Sequence, residues 1–316
     1  MKFIFVGEIM AKKTLARALT SNSFESVKLL VEQGADLNDK ENPSFLEAVR
    51  YCDEKIIRYL VDNGADIHAR GVNDVDAFQS AIYGNKIANL QLIHALGHTV
   101  QEYGGSAFRS EMFEFQRKAN PAVLEFFVKN GVDIDYNGDD DVQFGGDTPL
   151  CVAARYSDLD RCKFLVEYGA DVTISGSDGM RPYNIAVQKG DHEMASYFKS
   201  LEPENFHNMK NKLMELKSYK LPKNLMDFLQ RDNLHFQTEP AIEFFPLVDT
   251  VPMKIGKNKL LRISKWIDDY SHIHIVWNPK KKCICFYDEE HGELGDIGNF
   301  DNFVKDMQNC LDKIEI

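Results

Sequence analysis

The stretch that decides the fold is Thr148-Pro149-Leu150-Cys151-Val152-Ala153-Ala154, followed by Asp158-Leu159 and closed by Phe164-Leu165-Val166-Glu167-Tyr168-Gly169-Ala170-Asp171. Thr148 carries the side-chain oxygen that caps a helix, and Pro149 suits the first turn, where its missing N–H costs nothing. Small Ala153 and Ala154 let that helix lie close to its neighbours. A second short helix carries Phe164, Leu165 and Val166, and Gly169 is placed to end it in a left-handed conformation.

The same unit recurs. Gly34-Ala35-Asp36, Gly64-Ala65-Asp66, Gly97-His98-Thr99, Gly131-Val132-Asp133 and Gly169-Ala170-Asp171 each follow an apolar run. Counting back 21 residues from each glycine reaches Lys13, Pro43, Asp76, Ser110 and Thr148. Two places on stands a large apolar residue each time: Leu15, Phe45, Phe78, Met112 and Leu150. Five places on stand Ala18, Ala48, Ala81, Phe115 and Ala153. A sixth unit opens at Arg181-Pro182-Tyr183-Asn184-Ile185-Ala186 and ends near Glu202 without the glycine, as an outer cap would. The unit resembles the ankyrin repeat, which opens T-P-L-H-x-A-A and closes L-L-x-x-G-A-D-V, and five to six copies exceed the roughly three a stable stack needs.

The 316 residues suggest about two domains, and a hydrophobic content of 44% permits a sizeable core. No apolar run reaches the length of a membrane span. Met1-Lys2-Phe3-Ile4-Phe5-Val6 is cut off too soon by Glu8 and Lys12-Lys13 for a secretory signal, so no membrane partner is expected. Six cysteines (Cys52, Cys151, Cys162, Cys283, Cys285, Cys310) show no disulfide framework, which fits a reducing, cytoplasmic setting. Residues 1–203 carry 21 Lys+Arg against 31 Asp+Glu, and residues 204–316 carry 16 against 18, so most of the net charge of −12 lies on the repeats. That acidity argues against nucleic acid as the direct ligand and for a basic protein partner, although it also serves plain solubility.

With the helix pair constant, length variation falls in the hairpins. From each glycine to the next unit start the gaps are 9, 12, 13, 17 and 12 residues. Insertions in solenoids usually lie on one face, often the binding face. The longest runs from Gly131 to Thr148 and includes Tyr136, Asp139, Asp140, Asp141 and Phe144, acids and aromatics suited to anchoring a basic partner. A tolerated surface loop is the plain alternative. Asp133-x-Asp135-x-Asn137-Gly138-Asp139-x-Asp141 copies the first nine positions of a calcium loop, but Phe144 stands where the bidentate Glu is needed. The fourth unit, Ser110-Glu111-Met112-Phe113-Glu114-Phe115-Gln116, lacks the proline and the small pair. Gly104-Gly105 before it would give a local irregularity, with Tyr103 and Phe108 as exposed aromatics.

Beyond Pro203 the pattern changes. Residues 205–219 read as a helix with Phe206, Met209, Leu213 and Leu216 near one face, and Pro222 opens a second with Leu225, Met226, Phe228 and Leu229. Strands follow at 242–248, 260–263, 273–277 and 283–287, then a helix over about 301–314. Helices bracketing an antiparallel sheet make an α+β domain. Leu221-Pro222-Lys223-Asn224-Leu225-Met226-Asp227-Phe228-Leu229, Phe244-Phe245-Pro246-Leu247, Ile284-Cys285-Phe286-Tyr287-Asp288, Gly292 and Asn299-Phe300-Asp301-Asn302-Phe303-Val304 resemble the SUKH superfamily over roughly residues 205–312. Its Asn-Gly after the first helix pair is replaced by Arg231-Asp232-Asn233. The resemblance implies a bacterial immunity protein that binds and neutralises a polymorphic toxin, many of which are nucleases. It implies no catalytic constellation.

On the hairpin turning at Asn278-Pro279-Lys280-Lys281, period-two alternation puts His272, His274, Cys283 and Cys285 on one face, with Ile273, Ile275, Trp277, Ile284 and Phe286 on the other. Two His and two Cys could hold zinc, but H-x-H and C-x-C on strands lack the tight knuckle, and a second packing face is the simpler reading. No phosphate-cradling glycine loop with lysine, no G-x-S-x-G and no H-E-x-x-H occurs. No catalytic residue, resident metal or cofactor is therefore expected.

The sequence thus describes an α solenoid of ankyrin helix pairs at 1–202, followed by an α+β domain with an antiparallel sheet at 205–316. It reads as a binding protein that captures a basic toxin domain through Tyr103, Tyr136, Asp139, Asp140, Asp141, Phe144 and Asp178. The alternative is an ankyrin adaptor that binds a regulatory or host protein.

Overall fold

A computed structural model of the chain describes residues 15–113, 120–139 and 145–314. By compactness it divides into one unit of residues 1–152 with 167–170 and another of residues 153–166 with 171–316. Among the described residues no helix is long and apolar enough to cross a membrane.

The first unit is a run of short helices, among them Phe24–Glu32, Ser44–Tyr51, Glu54–Asp62, Ala77–Tyr83, Ala88–Ala95, Val100–Ser110 and Pro121–Lys129. The repeat positions named above hold their places: Leu15, Phe45, Phe78, Met112 and Leu150 are all buried, as are Ala18, Ala48, Ala81 and Ala153. Phe115 lies outside the described residues. All five unit-ending glycines have positive φ, from 77° at Gly131 to 110° at Gly97, a conformation that costs other residues a Cβ clash. Asp76 caps the helix Ala77–Tyr83 in a reciprocal box with Gln79, and the Cys151 N–H donates to Thr148 Oγ1 at 3.1 Å.

The recurring aspartate has a shared local job. Asp36, Asp66, Asp133 and Asp171 each accept through Oδ1 the backbone N–H two residues on, from Asn38, His68, Asp135 and Thr173, at 2.8–3.1 Å. These turns set the hairpins. Neighbouring hairpins are then stitched: Asn38 Nδ2 donates to Gly64 O at 2.9 Å, and the Asp66 N–H donates to Asn38 Oδ1 at 2.8 Å.

One hairpin differs from expectation. Residues between Gly97 and Ser110 form the helix Val100–Ser110, so the gap there is not an insertion loop. Gly104 and Gly105 lie inside this helix and are needed for close approach: a Cβ on Gly105 would collide with the Tyr136 ring. Phe108, expected at the surface, is fully buried, 5.8 Å from the Phe127 ring.

The helices Leu159–Glu167, Pro182–Lys189 and His192–Leu201 complete the repeats, and two antiparallel sheets follow in the second unit. One runs β1 (His235–Phe236), β2 (Ile242–Phe244), β5 (Ser264–Ile267). The other runs β3 (Val251–Ile255), β4 (Asn258–Arg262), β6 (Ile273–Asn278), β7 (Cys283–Asp288), β8 (Glu293–Gly298). The main core joins Phe228, Phe244, Ile263, Ile275, Trp277, Ile284 and Phe303. Phe303 comes from the closing helix, which is broken into Phe300–Lys305 and Met307–Leu311. The indole N–H of Trp277 donates to Tyr219 O at 2.9 Å, which satisfies its buried donor. The helix expected at 205–219 is shorter, Met209–Leu216, and of its expected apolar face only Leu216 is buried.

Candidate functional site

The long hairpin of the first unit is positioned from below. Arg109, fully buried, donates through Nη1 to Gly138 O at 2.7 Å and Asp147 O at 3.2 Å, and its guanidinium lies 5.2 Å from the Tyr136 ring centroid. The hairpin's two ends are therefore tied to one rigid cation. Tyr136 is half-buried by this packing, and Asp139 just beyond it is exposed. Asp140, Asp141 and Phe144 lie outside the described residues.

Tyr103 is half-buried and stacks on His98, with ring centroids 4.3 Å apart and planes 16° from parallel. His98 is buried, and its Nδ1 is 3.2 Å from Nδ1 of His68, whose ring also packs on Tyr103 at 4.8 Å. Such a contact requires one imidazole to donate to the other. The result is a rigid aromatic ledge whose outer face is Tyr103, the residue type that anchors protein contacts at low entropic cost.

Asp178 is a correction. It is not a surface acid but 7% exposed, with Oδ2 3.0 Å from Arg155 Nη2 and 4.0 Å from Arg262 Nη1. Burial would raise its carboxyl, but Arg155 and Arg262 outweigh burial and hold it below the usual carboxylate range. Arg262 in turn is fully buried and donates to Ser264 O, Lys265 O and Met180 Sδ; burial lowers its pKa to about 10, so it stays charged. The aspartate is committed to holding the 171–181 loop on the sheet edge. Gly179 makes that approach possible, since a Cβ there would collide with the carbonyl of Pro252. The sequence holds one signal that could have flagged this pair: Arg262 ends the apolar run Leu260-Leu261, where a charge needs a partner.

The same unit contains a polar cleft of about 490 Å³ that sequence reasoning did not anticipate. Arg181 and Lys212 line it, with Asn184, Asn211 and Phe206. Arg181 binds Glu202 through both Nε (2.8 Å) and Nη2 (3.2 Å) and lies 4.7 Å from the Phe206 ring. Lys212 is buried, donating to Thr250 O at 2.6 Å and pairing with Glu215 at 3.2 Å; burial lowers its pKa. Nearby, burial raises the Asp249 carboxyl against the hydrogen bond from Tyr183. Each cation already has an acid beside it, so the cleft offers donors and acceptors rather than net charge.

On the β6–β7 hairpin the expected faces are observed. Ile273, Ile275, Trp277 and Ile284 enter the main core, and Cys285 joins Met253, Leu260, Val276 and Tyr287 on the opposite side. His274 does not meet the cysteines: it pairs across the strands with Tyr287, two positions along, and its Nε2 contacts Glu289 at 3.1 Å. Burial, then the Arg262 charge, push its imidazole below the ordinary range, so it acts as a neutral donor.

A family model described as Ankyrin repeats (3 copies) matches residues 113–209. An ankyrin repeat protein of Rickettsia bellii (strain RML369-C) is 37% identical over 81 residues, which cover 25% of this chain and 48% of that protein. The chain spans about half the length of the first curated relatives it matches. The ankyrin repeat domain of Bcl-3 aligns with a TM-score of 0.47 at 20% identity, over 58% of this chain and 84% of that one. A structure of the Bd0816 predatory endopeptidase from Bdellovibrio bacteriovorus with immunity protein Bd3460 aligns with a TM-score of 0.45 at 16% identity, over 60% of this chain and 98% of that one. The chain carries ankyrin repeats, modules that mediate protein–protein binding, followed by a C-terminal domain with antiparallel sheets.

Proposed function

We propose that this chain is a bacterial immunity protein that neutralises a polymorphic toxin, a basic nuclease domain, by direct stoichiometric binding in the cytoplasm. The observation that carries this reading is the element order of the C-terminal part. A helix opened by Pro222 buries Leu225 and Phe228; antiparallel strands follow; a closing helix at Phe300 buries Phe303. That is the order the SUKH resemblance implies, on the residues that carry it.

The capture surface is the hairpin side of the repeats. Tyr103 on its imidazole ledge and Tyr136 on Arg109 are held rigid before any partner arrives, which lowers the ordering cost of binding. Asp139, with Asp140 and Asp141, supplies the negative charge that speeds encounter with a basic partner and rejects acidic ones. Asp178 has no part in it. Inhibition then needs no chemistry: a bound toxin domain has its active site covered.

Co-expression tests the reading. Any toxin domain encoded beside this gene should arrest growth of a host lacking the chain and leave growth normal when the chain is co-expressed. Arrest that persists with the chain present at comparable levels would instead favour an adaptor that binds a regulatory or host protein.

A further inference from the structure

The face of β7 turned away from the main core brings together three groups that no part of the binding account uses. Cys283 and Cys285 are two apart on one strand, so both side chains leave the same face. Their Sγ atoms are 3.6 Å apart. Asp296, the registered partner of Cys285 on β8, places Oδ1 3.3 Å from Cys285 Sγ and 4.0 Å from Cys283 Sγ. Among the described residues this is the one cluster of three metal-ligating side chains.

The distances are those of a tetrahedral site. Zinc bonds of about 2.3 Å to sulfur and about 2.1 Å to oxygen, at tetrahedral angles, put ligand sulfurs about 3.8 Å apart and sulfur and oxygen about 3.6 Å apart. The two observed sulfur–oxygen separations lie on either side of the sulfur–oxygen value, and the sulfur–sulfur separation of 3.6 Å is about 0.2 Å short of the sulfur–sulfur one. The geometry points to a Zn²⁺ site formed by Cys283 Sγ, Cys285 Sγ and Asp296 Oδ1, with a fourth position open to solvent. Two thiolates and one carboxylate favour this borderline-soft cation over magnesium or calcium, which prefer all-oxygen shells.

The surroundings fit a site that exchanges its metal. Cys285 is fully buried against Met253, Leu260 and Val276, a dry floor; Cys283 is half-buried and Asp296 exposed, giving an approach from water. Lys281 competes: its Nζ holds both Asp296 oxygens at 2.8 Å and has to yield one when zinc binds. Binding releases the thiol protons, so affinity rises with pH. His272 and His274 are outside the set.

The test is a Co²⁺ titration of the full chain, kept reduced with a phosphine, read by the thiolate-to-cobalt charge-transfer band and reversed with Zn²⁺. One equivalent of cobalt should develop the band, and one of zinc should abolish it. Cys283→Ser and Asp296→Asn, both at accessible positions, should each weaken zinc at least tenfold, in line with the loss of one ligand from a three-ligand set. Lys281→Met should tighten it. No thiolate band in the wild-type chain, or a band unchanged in Cys283→Ser, would overturn the assignment. Lys281→Met binding more weakly would contradict the competition.

Discussion

Asp178 Oδ2 lies 3.0 Å from Arg155 Nη2, inside the second unit, while Asp139 of the long hairpin is exposed. Two acids on two repeat hairpins thus have opposite roles. Asp178→Asn removes a buried charge and leaves the fully buried Arg262 without its nearest carboxylate. The cost should be about 3–5 kcal/mol, read as a lower urea midpoint. Asp139→Asn should shift the same midpoint by no more than about 0.5 kcal/mol. Equal effects from the two variants would contradict this division of labour.

The acidic hairpin should act on rate. Replacing Asp139, Asp140 and Asp141 by Lys is expected to slow association with a basic partner at low salt, with the difference shrinking as salt is added. Thermal unfolding should hardly move. Stopped-flow association of the partner with both chains checks this, and identical rates at low ionic strength would remove the hairpin from the contact surface.

Gly105 offers a test of packing in which the usual sign reverses. Glycine to alanine inside a helix ordinarily stabilises by roughly 0.5–1 kcal/mol. Here the added methyl meets the Tyr136 ring, which also packs against Arg109 one turn along the same helix. Gly105→Ala should therefore destabilise by about 1–3 kcal/mol. A raised melting temperature would show that Tyr136 is free to move and is not held ready for the partner.

Buried His274 sets a pH dependence. His274 has its pKa lowered in the folded chain by burial and by Arg262, opposed by Glu289 and Asp178. Protonation therefore favours the unfolded chain. Its contribution to stability is present above about pH 6.5 and lost as pH falls through the lowered folded value. The urea midpoint should drop between about pH 7.5 and about pH 5, and His274→Gln should reduce that drop. A variant with the full wild-type slope would place the dependence elsewhere.

The repeats were legible because each rests on local rules. A glycine with positive φ at Gly34, Gly64, Gly97, Gly131 and Gly169, a helix cap at Asp76 or Thr148, and an aspartate turning its own hairpin can all be read within a few residues. The helix Val100–Ser110 was not legible, because Gly104-Gly105 reads as a breaker when only long-range contact with Phe127 and Tyr136 explains it. β3 and β8 were missed for a related reason. Pro252 in one and Gly295 and Gly298 in the other weaken the strand signal, and pairing with neighbours restores it. Asp178 with Arg262, and Cys283 with Asp296, are meetings between distant or separate elements that spacing does not encode.

The central claim is stoichiometric capture of a toxin, and its most direct test is inhibition in solution. Any nuclease toxin domain encoded beside this gene should be titrated with the purified full chain while its own activity on nucleic acid is followed. The account predicts a linear fall that reaches zero at equal molar amounts. A toxin that keeps full activity with the chain in large excess would contradict it.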